Sequence, residues 1–305
     1  MSLMIATCYF PVSASIPKNL RYVLAQMRKA KRLGAEVTHF PEACLSGYAG
    51  ADFASYRGFD WGGLEVATQV VLREAKQLKQ WVVLGSSHRL SGNHKPHNSC
   101  YIINPRGEIV DRYDKIFCAG DRSGKTGDLA HYTPGNHFTV FTIQGIRCGV
   151  LICHDFRYPE LYREYKRRGV QLMFHSYHAG HLSPARFKKI SDEVGRKFHS
   201  LNRATTLPGI LMPATMQSMA ANNYLWISCS NTSARRSCWP SFLVRPDGVI
   251  TGRLRLHSTS LLLTKVNPNQ KFYDSTVAWR DRAMEGVFHS GKLVNDLRSS
   301  RRDAL

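Results

Sequence analysis

The run IRCGVLICHDFRYPELYREYKRRG, residues 146–169, constrains the fold more than any other stretch of the chain. Residues 146–152 are short, apolar and β-branched at several positions, the pattern of a buried strand. Pro159 stands where the first turn of a helix tolerates proline, and Leu161, Tyr162 and Tyr165 then recur at helical spacing. Strand and helix are joined by a few residues, so Cys153 falls on a sharp strand-to-helix turn at the end of a sheet. Such a turn exposes a side chain and aims the amides of the next helix at whatever binds there, an arrangement that lowers a thiol pKa. A cysteine so placed also serves as a small buried hydrophobe, and this stretch alone admits both readings.

The rest of the chain repeats the alternation. Residues 4–9 read as a first strand. Residues 19–33 carry Leu20, Val23, Leu24 and Met27 at helical spacing and stop at Gly34. VTHFPE follows as a strand closing on Pro41 and Glu42, residues 64–80 form a second amphipathic helix, and WVVLGSSH a second buried strand. Three hairpins are marked by their turn residues: Pro105-Arg106-Gly107, Gln144-Gly145 and Pro246-Asp247-Gly248. Residues 183–215 fit either one helix with a proline-broken loop or an insertion over a site. Helices interleaved with mixed strands predict a layered α/β fold. No repeat or linker divides the chain, so a single domain over 1–305 is expected, with 290–305 as a basic C-terminal tail.

Lys and Arg number 42 against 22 Asp and Glu, a formal net charge of +20. That balance favours anionic partners. The basic residues are nevertheless dispersed along helices, with no aromatic-basic RNA-binding pattern and no zinc finger. A solvated basic surface follows, and no specific nucleic-acid binding is expected. No apolar run reaches the ~20 residues of a membrane helix, and the N-terminus lacks the basic flank of a signal peptide. The eight cysteines are scattered without a C-x-x-C pair, which points away from disulfides and zinc and towards the reducing cytoplasm.

Three residues each follow a strand: Glu42 after VTHFPE begins to close, Lys115 after EIVDRYD and Cys153 after RCGVLI. A carboxylate, an ammonium and a thiol at neighbouring strand ends make a consistent acyl-transfer set. Glu42 takes the thiol proton, and Lys115 with the backbone amide of His154 stabilises an oxyanion. Taken singly, Glu42 and Lys115 read equally well as surface charges.

FPEACLSGY (40–48), RYDKIF (112–117), HYTPG (131–135), CGVLICHDFRYPE (148–160), SNTS (230–233) and the RPDG turn occur in one order along the chain. In this the sequence resembles the nitrilase superfamily of carbon–nitrogen hydrolases. The resemblance implies a four-layer αββα sandwich, a Glu42-Lys115-Cys153 triad, no cofactor, and assembly as a homodimer or higher homo-oligomer. It also implies a second carboxylate in the loop before the Tyr-x-x-Pro-Gly element, where this chain carries Asp128, one methylene shorter than the usual glutamate. SMAAN at 218–222 departs from the Arg-Ala-x-Glu-Asn of relatives, so that helix is expected to pack or assemble differently.

True nitrilases usually follow the nucleophile with Trp-Glu. The residues after Cys153 instead resemble the amidase and N-carbamoyl-amide branches, so the expected substrate is a small linear amide or carbamoyl compound. A nitrilase, or a non-catalytic basic binding protein on the same fold, are the alternatives. Tyr48, Arg157, Tyr177 and His178 are the candidate substrate contacts, Arg157 reading equally as a salt-bridge partner of Asp155 or Glu160. The run HSYHAGH at 175–181 has metal-ligand types, but no acidic or thiol residue stands beside it, so no metal is expected.

Overall fold

A computed structural model describes residues 2–303; the first residue and the last two of the expected 1–305 domain, and so the end of its 290–305 tail, lie outside the described residues. Along the chain run β1 (Leu3–Tyr9), α1 (Ile16–Arg32), β2 (Val37–His39), α2 (Trp61–Leu78), β3 (Trp81–His88), β4 (His97–Ile103) and β5 (Ile109–Asp114). There follow β6 (Val140–Ile143), β7 (Ile146–Ile152), α3 (Pro159–Arg167), β8 (Leu172–Ser176), α4 (Pro184–Asp192), α5 (Leu207–Asn223) and β9 (Trp226–Ser230). The last elements are β10 (Phe242–Val244), β11 (Ile250–Arg253), β12 (Ser260–Val266) and two short helices, α6 (Arg280–Met284) and α7 (Leu297–Ser300). Residues 290–303 are largely exposed.

Among the described residues the strands form two six-stranded sheets, ordered β12-β1-β2-β3-β4-β5 and β11-β10-β9-β8-β7-β6. Each has a parallel centre, β1-β2-β3 and β7-β8-β9, flanked by antiparallel strands. The period-two alternation of side chains sorts the core. In β3, Val82 and Leu84 face α1 and α2 beside Val23, Met27 and Val71, while Val83 faces the second sheet. On the other side, Leu161, Tyr162 and Tyr165 of α3 and Met212, Met216 and Ala220 of α5 cover β7–β9. The layers are therefore α, β, β, α.

The hairpin turns behave as their residues require. Gln144 and Gly145 both take positive φ (48° and 78°), the left-handed pair that matches strand twist in a two-residue hairpin. The open reading of 183–215 resolves into two helices. Proline does not end the second: Pro208 lies in its first turn and Pro213 inside it. Propensity is overridden by packing, since Gly209, Met212, Met216 and Ala220 recur on one buried face.

Between the sheets lies a polar cluster. His39 Nδ1 is 2.8 Å from Ser228 Oγ, which is 2.6 Å from Thr7 Oγ1, and His39 Nε2 is 3.0 Å from Ser176 Oγ. Burial pushes the His39 pKa down to about 3, against ~6.5 in an unfolded chain. The folded state excludes a proton that the unfolded state binds, so this stability is present above pH ~6.5 and is lost as pH falls towards 3. His39→Gln should flatten the acid side of the stability profile by about 1.4 kcal/mol per pH unit. Denaturant midpoints of both proteins at pH 4.5–7 check this; parallel profiles would contradict it.

Candidate active site

Glu42, Lys115 and Cys153 arrive from three strands. Cys153 directly follows β7 and adopts φ 40°, a left-handed conformation uncommon for a non-glycine residue. The turn is braced from behind. Asp155 is fully buried and accepts from Ile152 N at 3.0 Å, Phe117 N at 2.8 Å and Tyr113 Oη at 2.8 Å. His175, also buried, has Nε2 3.2 Å from the Cys153 carbonyl and Nδ1 2.6 Å from Tyr162 Oη. Since the carbonyl only accepts, Nε2 carries the proton and Tyr162 donates to Nδ1.

Glu42 lies three residues beyond β2. The turn that carries it presses against β3 at Gly85, where a Cβ would come within 2.1 Å of the Pro41 carbonyl oxygen. The Glu42 side chain is fully buried. Its Oε1 accepts from Lys115 Nζ at 2.8 Å and Asn98 Nδ2 at 2.7 Å, while Oε2 has no hydrogen-bond partner. Lys115, 1% exposed, also reaches Asp128 Oδ2 at 2.7 Å and sits 6.0 Å above the ring of Tyr48. Asp128 is fixed further by Ala119 N at 3.0 Å and by the Tyr48 hydroxyl on Oδ1.

The electrostatics follow from this packing. Burial alone would lower the Lys115 pKa, but Glu42, Tyr48, Asp128 and Cys153 around it raise it well above the usual lysine range. Burial opposes ionisation of Asp128, and Lys115 outweighs it, holding the carboxyl below its usual value. For the Cys153 thiol the outcome differs from the sequence expectation. Burial, reinforced by Glu42, raises its pKa well above normal, with Lys115 and the amide of His178 acting only in part against this. Between the thiol and α3, which begins at Pro159, runs a 3-10 turn over Cys153–Arg157. The thiol rests neutral, and a base has to remove its proton.

The other candidates divide. Tyr48, half-buried, joins the site through Asp128 and stacks on His178 with centroids 4.8 Å apart. His154 is half-exposed with its ring edge-on to Tyr158. Tyr177 is fully buried, stacked on His175 with its hydroxyl 3.0 Å from Met216 Sδ; its carbonyl receives Glu42 N at 3.3 Å. Arg157 is exposed and lies over Phe156, its Cζ 4.5 Å from the ring centroid. The expected salt bridge to Asp155 is not formed, because that carboxylate is turned inward onto backbone amides. The reading that no acid adjoins HSYHAGH also needs correcting: Asp52, remote in sequence, lies 3.0 Å from both His178 Nε2 and His181 Nε2. Asn98, Asp52 and His175 were not singled out from the sequence. Asn98 is one inward polar residue in an alternating strand, and only its tertiary neighbour reveals its use.

The carbon–nitrogen hydrolase family model matches residues 4–270. Over most of its length, then, this chain belongs to the carbon–nitrogen hydrolase family. Deaminated glutathione amidase of Yersinia enterocolitica is 27% identical over 258 residues, 80% of this chain and 84% of that protein. Omega-amidase NIT2 of Bos taurus is 28% identical over 172 residues, 55% of this chain and 61% of that protein, and Nitrilase homolog 2 of Dictyostelium discoideum is 29% identical over 48% of its own length. The chain thus spans about half to three fifths of several curated relatives it matches. An amidase from Nesterenkonia sp. shares the fold with a TM-score of 0.67 at 20% identity, covering 93% of this chain and 95% of that one. Among the described residues no helix is long and apolar enough to cross a membrane.

Proposed function

We propose that this protein is an amidase-type hydrolase acting on small linear amides or N-carbamoyl compounds through a cysteinyl acyl-enzyme. The observation that carries the reading is the division of labour in Glu42. Lys115 and Asn98 anchor Oε1, Oε2 is left buried without a hydrogen-bond partner, and the Glu42 charge acts on the Cys153 thiol, whose pKa stands raised. Oε2 takes the thiol proton as sulfur attacks the carbonyl carbon. The oxyanion is stabilised by the Lys115 ammonium and the His154 amide. Glu42 then returns the proton to the departing nitrogen, and ammonia leaves as the thioester forms. Water, deprotonated by Glu42, attacks the thioester (a thiocarbamate from a carbamoyl substrate); the carboxylic acid, or a carbamic acid that loses carbon dioxide, is released, and Glu42 returns the proton to the thiol. Asp128 holds Lys115 against Glu42, and Tyr48 orients Asp128.

The basic surface carries no role in this reaction, and the substrate contacts at Arg157, Tyr177 and His178 are proposals of lower order than the triad. A homo-oligomer fits the resemblance, and a cytoplasmic location fits the scattered cysteines. The decisive experiment is a panel of linear amides, N-carbamoyl amino acids and nitriles scored for ammonia release. Turnover of amides or carbamoyl compounds is expected. Turnover of nitriles alone would replace the assignment with a nitrilase, and silence across the panel would favour a non-catalytic member of the fold.

A further inference from the structure

Asp52, His178 and His181 come together from two loops, one after β2 and one after β8, and none of their side chains takes part in the proposed bond-making steps. One imidazole or carboxylate atom from each lies within 4.8 Å of the others. The Asp52 side chain is fully enclosed, His178 is 1% exposed, and His181 is about one third exposed, at the rim. Asp52 Oδ2 is well served: it accepts from Tyr48 N at 2.8 Å and faces His178 Nε2 at 3.0 Å. Its other oxygen is not. Oδ1 lies 3.0 Å from His181 Nε2 yet has no hydrogen-bond partner, because that nitrogen directs its bond to the Val12 carbonyl, also at 3.0 Å. A buried carboxylate oxygen left unpaired costs free energy unless something else binds it.

We infer that Asp52, His178 and His181, with the Val12 carbonyl, form a binding site for a borderline divalent cation of the zinc or cobalt type. Two imidazole nitrogens and a carboxylate oxygen are the donor set such ions take, and a hard calcium or magnesium ion would want oxygens throughout. The pairs face each other at 3.0 Å, a few tenths of an ångström short of the ~3.3–3.6 Å between neighbouring tetrahedral ligands with bonds of about 2.0–2.2 Å, so small side-chain rotations would open the set around an ion. Binding requires Nε2 of both imidazoles to be free of its proton, which shifts to Nδ1 or leaves to solvent, so affinity falls as pH drops. The half-open rim at His181 supplies the route in.

The position gives the ion a use. His178 carries the backbone amide that faces the Cys153 sulfur, and its ring backs Tyr48, which holds Asp128. A cation clipping His178 and His181 to Asp52 would fasten the loop that presents this amide.

The test uses chelator-treated Cys153→Ala protein, which removes the thiol as a competing ligand, titrated with Co2+ by absorption and with Zn2+ by calorimetry. One equivalent should bind, with visible ligand-field bands and no thiolate-to-cobalt charge-transfer band. Adding His181→Ala, at an exposed position that should not unfold the protein, should weaken binding by at least about 100-fold; Asp52→Asn provides a second, nearly isosteric variant. The thermal midpoint of the Cys153→Ala protein should rise with Zn2+ and that of the His181→Ala double variant should not. No binding in the Cys153→Ala background, or binding undiminished in both further variants, would overturn the site.

Discussion

Replacing Cys153 by alanine is expected to abolish ammonia release from every substrate in the panel while leaving the fold intact. Alanine retains the Cβ, so the left-handed turn at φ 40° meets the same steric demand as before. The braces on that turn, Asp155 on the Ile152 amide and His175 on the Cys153 carbonyl, are untouched. What disappears is the atom that forms the covalent bond, and loss of such a nucleophile costs on the order of 10^4- to 10^6-fold in turnover. Circular dichroism and the denaturation midpoint should match the parent protein. Residual turnover within a factor of ten of the parent would show that Cys153 is not the nucleophile.

Lys115→Met is expected to damage both activity and stability, because one ammonium neutralises two buried carboxylates. Methionine fills much the same volume but leaves Glu42 with Asn98, and Asp128 with Tyr48 and the Ala119 amide, as their remaining donors. Stranding buried charges in this way costs about 3–5 kcal/mol at neutral pH. Without the ammonium, burial pushes the Asp128 carboxyl above its unfolded pKa. It then contributes stability at low pH that is lost as pH rises through the folded value. The gap between variant and parent should therefore narrow from pH 8 to pH 5. Ammonia release should fall by about 10^2- to 10^3-fold or more, as when an oxyanion donor is lost. Denaturation curves at the two pH values, with turnover at the higher one, check both halves; a gap independent of pH would mean that the carboxylates do not depend on Lys115.

Much of this was legible in the sequence, and the reason is locality. Strands such as WVVLGSSH and hairpins at Pro105-Arg106-Gly107 and Gln144-Gly145 are specified by neighbours within a few residues. Glu42, Lys115 and Cys153 each follow a readable strand, and the resemblance of the blocks around them decides between triad and surface charge. The features that were missed depend on contacts made across the chain. Asn98 is useful only because β4 sets it against Glu42, 56 positions away. Asp52 meets His178 from 126 positions away. The thiol pKa runs opposite to what its turn suggests because burial, reinforced by Glu42, outweighs the nearby amides, and burial is set by contacts across the chain. Arg157 showed the converse: a charge near acids in sequence points away from them when those acids are turned inward.

The last strand of the sandwich closes on the first. Tyr9 of β1 pairs with Ser260 of β12, and seven residues on each side form the ladder. At translation rates of about 5–20 residues per second, the 251 positions between them take roughly 13–50 seconds to emerge. For all that time β1 has β2 on one flank and an open, apolar hydrogen-bonding edge on the other, the kind of edge that templates pairing between chains. A nascent or truncated chain that stops short of residue 260 would carry that edge permanently. Yield in the cell should then depend on chaperone supply far more steeply than the stability of the finished sandwich would suggest.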